Sequence, residues 1–352
     1  MFLADKNFNL KYFITREGSR WKGKFSDWQL DRYKKALNKR YELEQIPLAN
    51  SPKVYIHKYD YHWLYLASIR KSFEYKLVSS PEEADAIIFQ TNVDESLNLE
   101  NKDIYIFYGE PEIYTKVHFS KLSKDFFEKN RVTIISHHPD PAYFLTPTGP
   151  FKFIRTILFD PFLHSATIED LEKIDGSDRK KSIFTITSAL SGIAGNDNKK
   201  RGIEKIIEKG IKLDLYGRIS RAAVSIKNYK GTCTYKYKLM KKYKYNLILE
   251  NSPEEEWWVS EKIYDALICG CMPIYYGSDK VFKILPSDWF YFLPSFEDDE
   301  LDKLQKFINS DAYVTISNNR REIAEYVDRN FSFFSAIETA VNHKPFQFLI
   351  EN

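Results

Sequence analysis

The sequence predicts an α/β protein built from two Rossmann-like domains, and three observations predict it. Apolar runs of strand length recur with amphipathic segments of helix length between them. The alternation pauses in a short polar stretch and restarts near Lys180. The chain's 352 residues also exceed the usual size of one core.

Composition narrows the function classes. Hydrophobic residues at 43% and charged residues at 29% describe a soluble globular chain, and a net charge of +3 is too small to imply a nucleic-acid partner. The 24 Tyr and 26 Phe are a high aromatic content, read as mostly core, with some serving as stacking platforms for sugars or a base. Cys233, Cys269 and Cys271 have neither a zinc spacing nor a disulfide framework, which points to a reducing compartment and a cytoplasmic location. Nowhere do about 18 uncharged apolar residues follow one another, so no transmembrane segment is expected.

Residues 1–50 are mixed and highly charged, with a helix expected over about 26–41, and form an extension to which the sequence assigns no role. A strand is predicted at 54–56, a helix at 64–73 and a strand at 75–78. Ser80 followed by Pro81 is a helix start, and strands follow at 86–89 and 104–108. The last of these ends in Gly109-Glu110-Pro111. A carboxylate just past a strand end, on a loop lifted by Gly and fixed by Pro, is placed to act as a general base, so Glu110 is the catalytic candidate and Glu112 its neighbouring rival. His137 and His138 stand beside Asp140 without a third ligand of recognisable spacing. They are read as a polar loop rather than a metal site.

The stretch 160–163 is the expected hinge. The first domain is placed at 1–165 and the second at 178–330, with 331–352 packing back on the first. In the second domain a strand at 182–187 leads through a loop rich in Gly and Asn to a helix at 200–208 and a strand at 213–216. Arg201 opens that helix, where its forked donors suit a phosphate, although a surface ion pair fits the residue alone equally well. Lys and Tyr alternate over 229–244, and this is read as a solvated helix face rather than an RNA-binding one.

The densest signal lies at 245–278. Leu247, Ile248 and Leu249 form a strand followed by Glu250, Asn251, Ser252 and Pro253. Val259, Ile263, Ala266 and Leu267 have helical spacing, stopped by Gly270, and a second strand at 273–276 is broken by Gly277. Ligands of open α/β sheets bind beyond the carboxyl ends of such strands. Glu261 and Lys262 fall at the helix start, where free N–H groups and a full positive charge favour a diphosphate, and a carboxylate suits two ribose hydroxyls. The pattern describes a sugar-nucleotide pocket.

Taken in order, ENS at 250–252, SEKI at 260–263, AL at 266–267 and GCMPIYYG at 270–277 resemble the signature of glycosyltransferase family 10, the α1,3/1,4-fucosyltransferases. FYGE at 107–110 is similar to the family's strand ending in TGE, which carries its proposed base. KKRGIEKIIEKGIKLDLYGR at 199–218 is similar to the segment whose arginine meets the donor diphosphate. The resemblance covers roughly 53–330. It implies a GT-B architecture, two Rossmann-like domains facing a cleft, and inverting transfer of L-fucose from GDP-fucose to a hydroxyl of an acceptor glycan. It implies no metal and no cofactor. Glu110 would be the base, Arg201 and Lys262 the diphosphate ligands, Glu261 the ribose ligand, Asn251 a donor contact, and Trp258 a stacking or lining residue where the family usually has Tyr.

Three consecutive glutamates at 254–256, the pair Trp257-Trp258, and Ser260 in place of Thr depart from the family pattern. They leave two other readings open: a GT-B transferase of exostosin type with a xylosyl, glucuronosyl or other nucleotide-sugar donor, and an inactive module that binds glycan or nucleotide.

Overall fold

A computed structural model describes residues 50–57, 73–78, 80–90, 93–109, 122–138, 151–157, 181–187, 194–217, 228–231 and 236–350, together with 65–66, 119, 163–164, 173–174, 179 and 233. The chain divides into two units, one of residues 1–158 and 333–352 and the other of residues 159–332.

In the first unit, β1 (Lys53–Ile56), β2 (Tyr65–Leu66), β3 (Lys76–Leu77), β4 (Ala86–Gln90), β5 (Asp103–Tyr108), α1 (Lys124–Lys129), β6 (Arg131–Ser136) and β7 (Phe151–Arg155) follow in turn. Six of the strands form one parallel sheet in the order β3-β1-β4-β5-β6-β7. The expected helix over 64–73 meets a correction here, because Tyr65–Leu66 is extended. The Ser80-Pro81 start is real but short: Ser80 caps a single 3-10 turn, Pro81–Glu83, with its hydroxyl accepting from the Glu82 amide.

The second unit holds β8 (Leu163–His164), β9 (Lys181–Ile186), α2 (Ala194–Glu208), β10 (Leu213–Tyr216), β11 (Tyr229–Gly231), α3 (Lys236–Met240), β12 (Tyr243–Leu249), α4 (Glu261–Ile268), β13 (Met272–Tyr276), β14 (Tyr291–Phe292), α5 (Asp298–Ile308), α6 (Tyr313–Asn318) and α7 (Arg320–Phe331). Its sheet is parallel throughout and ordered β11-β10-β9-β12-β13-β14. Counted from β9, that is 3-2-1-4-5-6, the dinucleotide-binding order, whose switch point lies between β9 and β12. The Lys-rich helix expected before the chain returns to the sheet at Tyr243 is short, Lys236–Met240, and a strand, Tyr229–Gly231, precedes it, while β12 begins at Tyr243 as expected.

The central strands, β4 and β5 of the first sheet and β12 and β13 of the second, are buried on both faces, which is why they read as nearly unbroken apolar runs. Ile183, Phe184, Leu213, Leu215, Tyr245, Leu247, Ile263, Leu267 and Ile274 are all at most 1% exposed, and burying each such side chain contributes about 1.5–3 kcal/mol. Arg179 ties elements of this unit together from within. Its guanidinium donates to the carbonyls of Met240 at 2.5 Å, Tyr243 at 2.8 Å and Cys269 at 2.5 Å. At the end of α4, Gly270 takes φ +66°, a conformation open to Gly at no steric cost, and Cys271 N–H then caps Ala266 O at 2.9 Å.

After α7 the chain enters the first unit again as α8 (Phe333–Val341). Its apolar face packs on Tyr105, Phe107, Ile135 and Ile154 of that unit's sheet. Among the described residues no helix is long and apolar enough to cross a membrane.

Candidate functional site

The site is built at the switch point of the second unit's sheet. β12 delivers Glu250 and Asn251 just past its carboxyl end, and α4 returns Ser260, Glu261 and Lys262 to the same edge. α2, which follows β9, contributes Lys199.

Glu250 is the centre of the arrangement and is fully buried. Its carboxylate accepts from the Ser260 amide at 2.8 Å, from the Ser260 hydroxyl at 2.6 and 2.9 Å, and from Lys262 Nζ at 3.0 Å. Lys262 Nζ donates also to Ser260 Oγ at 2.6 Å. A buried carboxylate persists only with such partners. They fasten the strand end to the helix start and fix the direction in which Lys262 points.

A second ion pair lies one turn on. Lys236 Nζ is 2.9 Å from the buried Asp265 carboxylate and 3.5 Å from Glu261. Burial alone would push the Glu261 carboxyl up, but Lys262 and Lys236 beside it outweigh burial and hold it down at about 2. Lys262 is held above the usual lysine range because Glu250 and Glu261 outweigh its own burial. Glu261 is therefore an anion and Lys262 a cation at neutral pH.

Lys199 is the unusual member. Only 3% exposed, it donates to Asn251 Oδ1 and, among the described residues, has no other hydrogen-bond acceptor for its three donors. Burial, and after it the neighbouring Lys262, pushes its pKa down to about 8. A second free donor closes this edge. Thr187, just beyond β9, is 5% exposed, and its Oγ1 has no partner among the described residues.

Gly277 keeps the space behind Glu250 open. A Cβ there would lie 2.5 Å from Tyr275 Oη and 2.7 Å from Glu250 Cγ. Gly277→Ala is expected to destabilise the second unit by about 1–3 kcal/mol through overpacking, read as a lower unfolding temperature. An unchanged Tm would mean that Glu250 can shift without cost.

The structure thus gathers Asn251, Glu261 and Lys262 and adds Lys199, Glu250, Ser260 and Thr187. Arg201 lies elsewhere on α2: it is exposed, and its guanidinium donates to Asn198 at 2.8 Å. Trp258, expected to stack on or line the pocket, is 6% exposed, and its carbonyl accepts from Tyr275 Oη at 3.4 Å. Its neighbour Trp257 is more open, with Lys280 Nζ 5.9 Å from its ring centroid. Glu110 and Glu112 lie outside the described residues. His137 and His138 are buried rather than on an open polar loop, their rings 4.4 Å apart at the end of β6. Cys269 and Cys271 offer no nucleophile: burial raises both thiols, Cys271 to about 12.

Lys199 has a signal in the sequence. It stands four residues before Ile203 and seven before Ile206, on the stripe that α2 buries, whereas Arg201 lies off that stripe. A buried ammonium, Lys199, a partly buried one, Lys262, and an ionised carboxylate at the carboxyl ends of central strands are fitted to hold a diphosphate and a ribose diol.

The second unit is also where the chain matches a known family. Residues 177–327 match glycosyltransferase family 10 (fucosyltransferase), C-terminal part. A fucosyltransferase-like protein of Arabidopsis thaliana is 28% identical over 158 residues, which are 44% of this chain and 28% of that protein, so the chain spans little more than a quarter of its curated relative. Among solved structures, an α1,3-fucosyltransferase aligns over 79% of this chain and 84% of its own at 15% identity and a TM-score of 0.44. HepE from Anabaena in complex with UDP aligns over 74% and 78% at 11% identity and a TM-score of 0.45. The switch-point site lies wholly inside the stretch 177–327 that matches the C-terminal part of glycosyltransferase family 10 (fucosyltransferase).

Proposed function

We propose that this protein is an inverting glycosyltransferase that moves L-fucose from GDP-fucose to a hydroxyl of an acceptor glycan. The observation that carries the donor half of this reading is Lys199, a buried cation with one acceptor, beside Lys262 at the switch point. A bound diphosphate supplies the acceptors that Lys199 lacks. Lys199 and Lys262 then bear the charge that grows on the leaving diphosphate, and Glu261, held ionised, accepts from the ribose hydroxyls. Asn251 is pinned by Lys199, which leaves its amide N–H groups for polar groups of the donor. Thr187 Oγ1 is a further donor at the same strand edge.

In this reading Glu110 takes the proton of the acceptor hydroxyl as that oxygen attacks the anomeric carbon from the face opposite the diphosphate. Lysine charge takes the place of a metal ion. Glu110→Gln is expected to leave donor binding intact and to lower turnover by about two to four decades, measured as fucose transfer with and without EDTA. Parental turnover in that variant would remove Glu110 from the role. Loss of activity in EDTA, restored by a divalent ion, would remove the metal-free mechanism.

A further inference from the structure

The first unit contains a cavity of about 500 Å³ that the proposed reaction does not use. Its walls are the amino ends of β5, β6 and β7 and the end of α8. β5 has six residues, so at about 3.3 Å per residue the cavity sits some 17 Å from the strand end that leads to Glu110.

Register explains the opening. Phe107, Ile135 and Ile154 form one row across the sheet face that α8 covers. Two residues toward the amino ends, the same face carries Tyr105, Thr133 and Lys152, and beyond them Asp103 and Arg131. α8 stops at Val341, so the polar rows lie open under its end. Thr and Lys here occupy positions that, one row on, are filled by Ile.

The groups that face this space are mostly basic. Arg131 is paired with Asp103 at 2.9 Å, and Lys344 with Glu74 at 2.7 Å. Among the described residues, the side chains of Lys152 and His343 have no partner. Tyr105 is 5% exposed and its hydroxyl also has no partner there; burial, and then Asp103, pushes its pKa up to about 12, which keeps it a neutral donor. His343 is held at φ +53°, a left-handed conformation that a non-glycine residue adopts at a cost, and this turns the chain at the cavity mouth. Phe346 adds an apolar ring.

We infer that this cavity is a binding site for an acidic saccharide, whose carboxylate meets Lys152 and His343 while its hydroxyls meet the Tyr105 hydroxyl and its ring packs against Phe346. The volume suits a short oligosaccharide, and an aromatic face beside an unmatched lysine and an imidazole donor is what a charged sugar needs.

The test is calorimetric titration of the whole chain, with no nucleotide sugar present, so that its result is independent of the transferase reading. The probes are a hyaluronan tetrasaccharide, maltotetraose as a neutral sugar, and sodium sulfate as an anion without a sugar. Saturable binding of the hyaluronan fragment alone is expected, weakened about tenfold or more by Lys152→Glu. His343→Gly is expected to weaken it as well without lowering the unfolding temperature, because glycine adopts the left-handed turn freely. Failure of the hyaluronan fragment to bind, equal binding of maltotetraose, sulfate binding of the same strength, or parental affinity in both variants would each overturn the inference.

Discussion

Lys199→Met is expected to weaken GDP binding by one to two decades while making the protein more stable at pH 7. The two effects have one cause. Lys199 is buried with one neutral acceptor, and its pKa is pushed down to about 8, so folding at pH 7 works against an ammonium that prefers water. A tenfold loss of proton affinity corresponds to about 1.4 kcal/mol, so relieving this cost is worth about 1–3 kcal/mol. A bound diphosphate reverses the sign, because its oxygens satisfy the donors and favour the charged form. The pH dependence follows. Below about pH 8 both folded and unfolded chains carry this proton, and the cost is fully present. As pH rises from about 8 toward the ordinary lysine range, only the unfolded chain keeps it, so the Lys199 contribution to stability becomes less unfavourable. GDP affinity should fall over the same range, and titration calorimetry of parent and variant at pH 7 and pH 9 checks both. Equal affinity of the two proteins at pH 7 would show that Lys199 does not meet the nucleotide.

Removing Glu250 should do the opposite to stability. Glu250→Ala strips the Ser260 amide and hydroxyl and the Lys262 ammonium of a shared partner in a buried setting. Breaking a buried pair from one side costs about 3–5 kcal/mol. For a unit of this size each kcal/mol moves Tm by about 2–4 °C, so a drop of roughly 10 °C is expected in calorimetric unfolding. A drop of only a degree or two would mean that water replaces the carboxylate. Lys262→Ala shares this cost, so its donor affinity is interpretable only beside its measured stability.

Much of this is legible in the residues. The β12–α4–β13 unit announces itself because short apolar runs are bounded by Pro253, Gly270 and Gly277, each with a separate steric reason. Parallel sheets are legible for the same reason: strands buried on both faces cannot alternate. Residues 65–66 mislead because an aromatic run with a Leu at close spacing satisfies helix and strand templates alike. Lys199 is hard to single out because, inside the run Asn-Asp-Asn-Lys-Lys-Arg, polarity reads as solvation. Its burial comes from helix phase and from Asn251, a residue 52 positions away. Glu250 shows the same limit: a Glu after a strand reads as a turn residue until Ser260 and Lys262 fold onto it.

The measurement that tests the central claim most directly is thermal unfolding of the whole chain and its Lys199→Met variant at pH 7 with GDP-fucose, GDP, UDP-glucose or UDP-xylose. A ligand that binds only the folded state raises Tm according to its affinity. The account predicts a rise with GDP-fucose and GDP, little with either UDP-sugar, and a much smaller rise in the variant. A larger rise with a UDP-sugar, or an undiminished GDP-fucose effect in Lys199→Met, would contradict it.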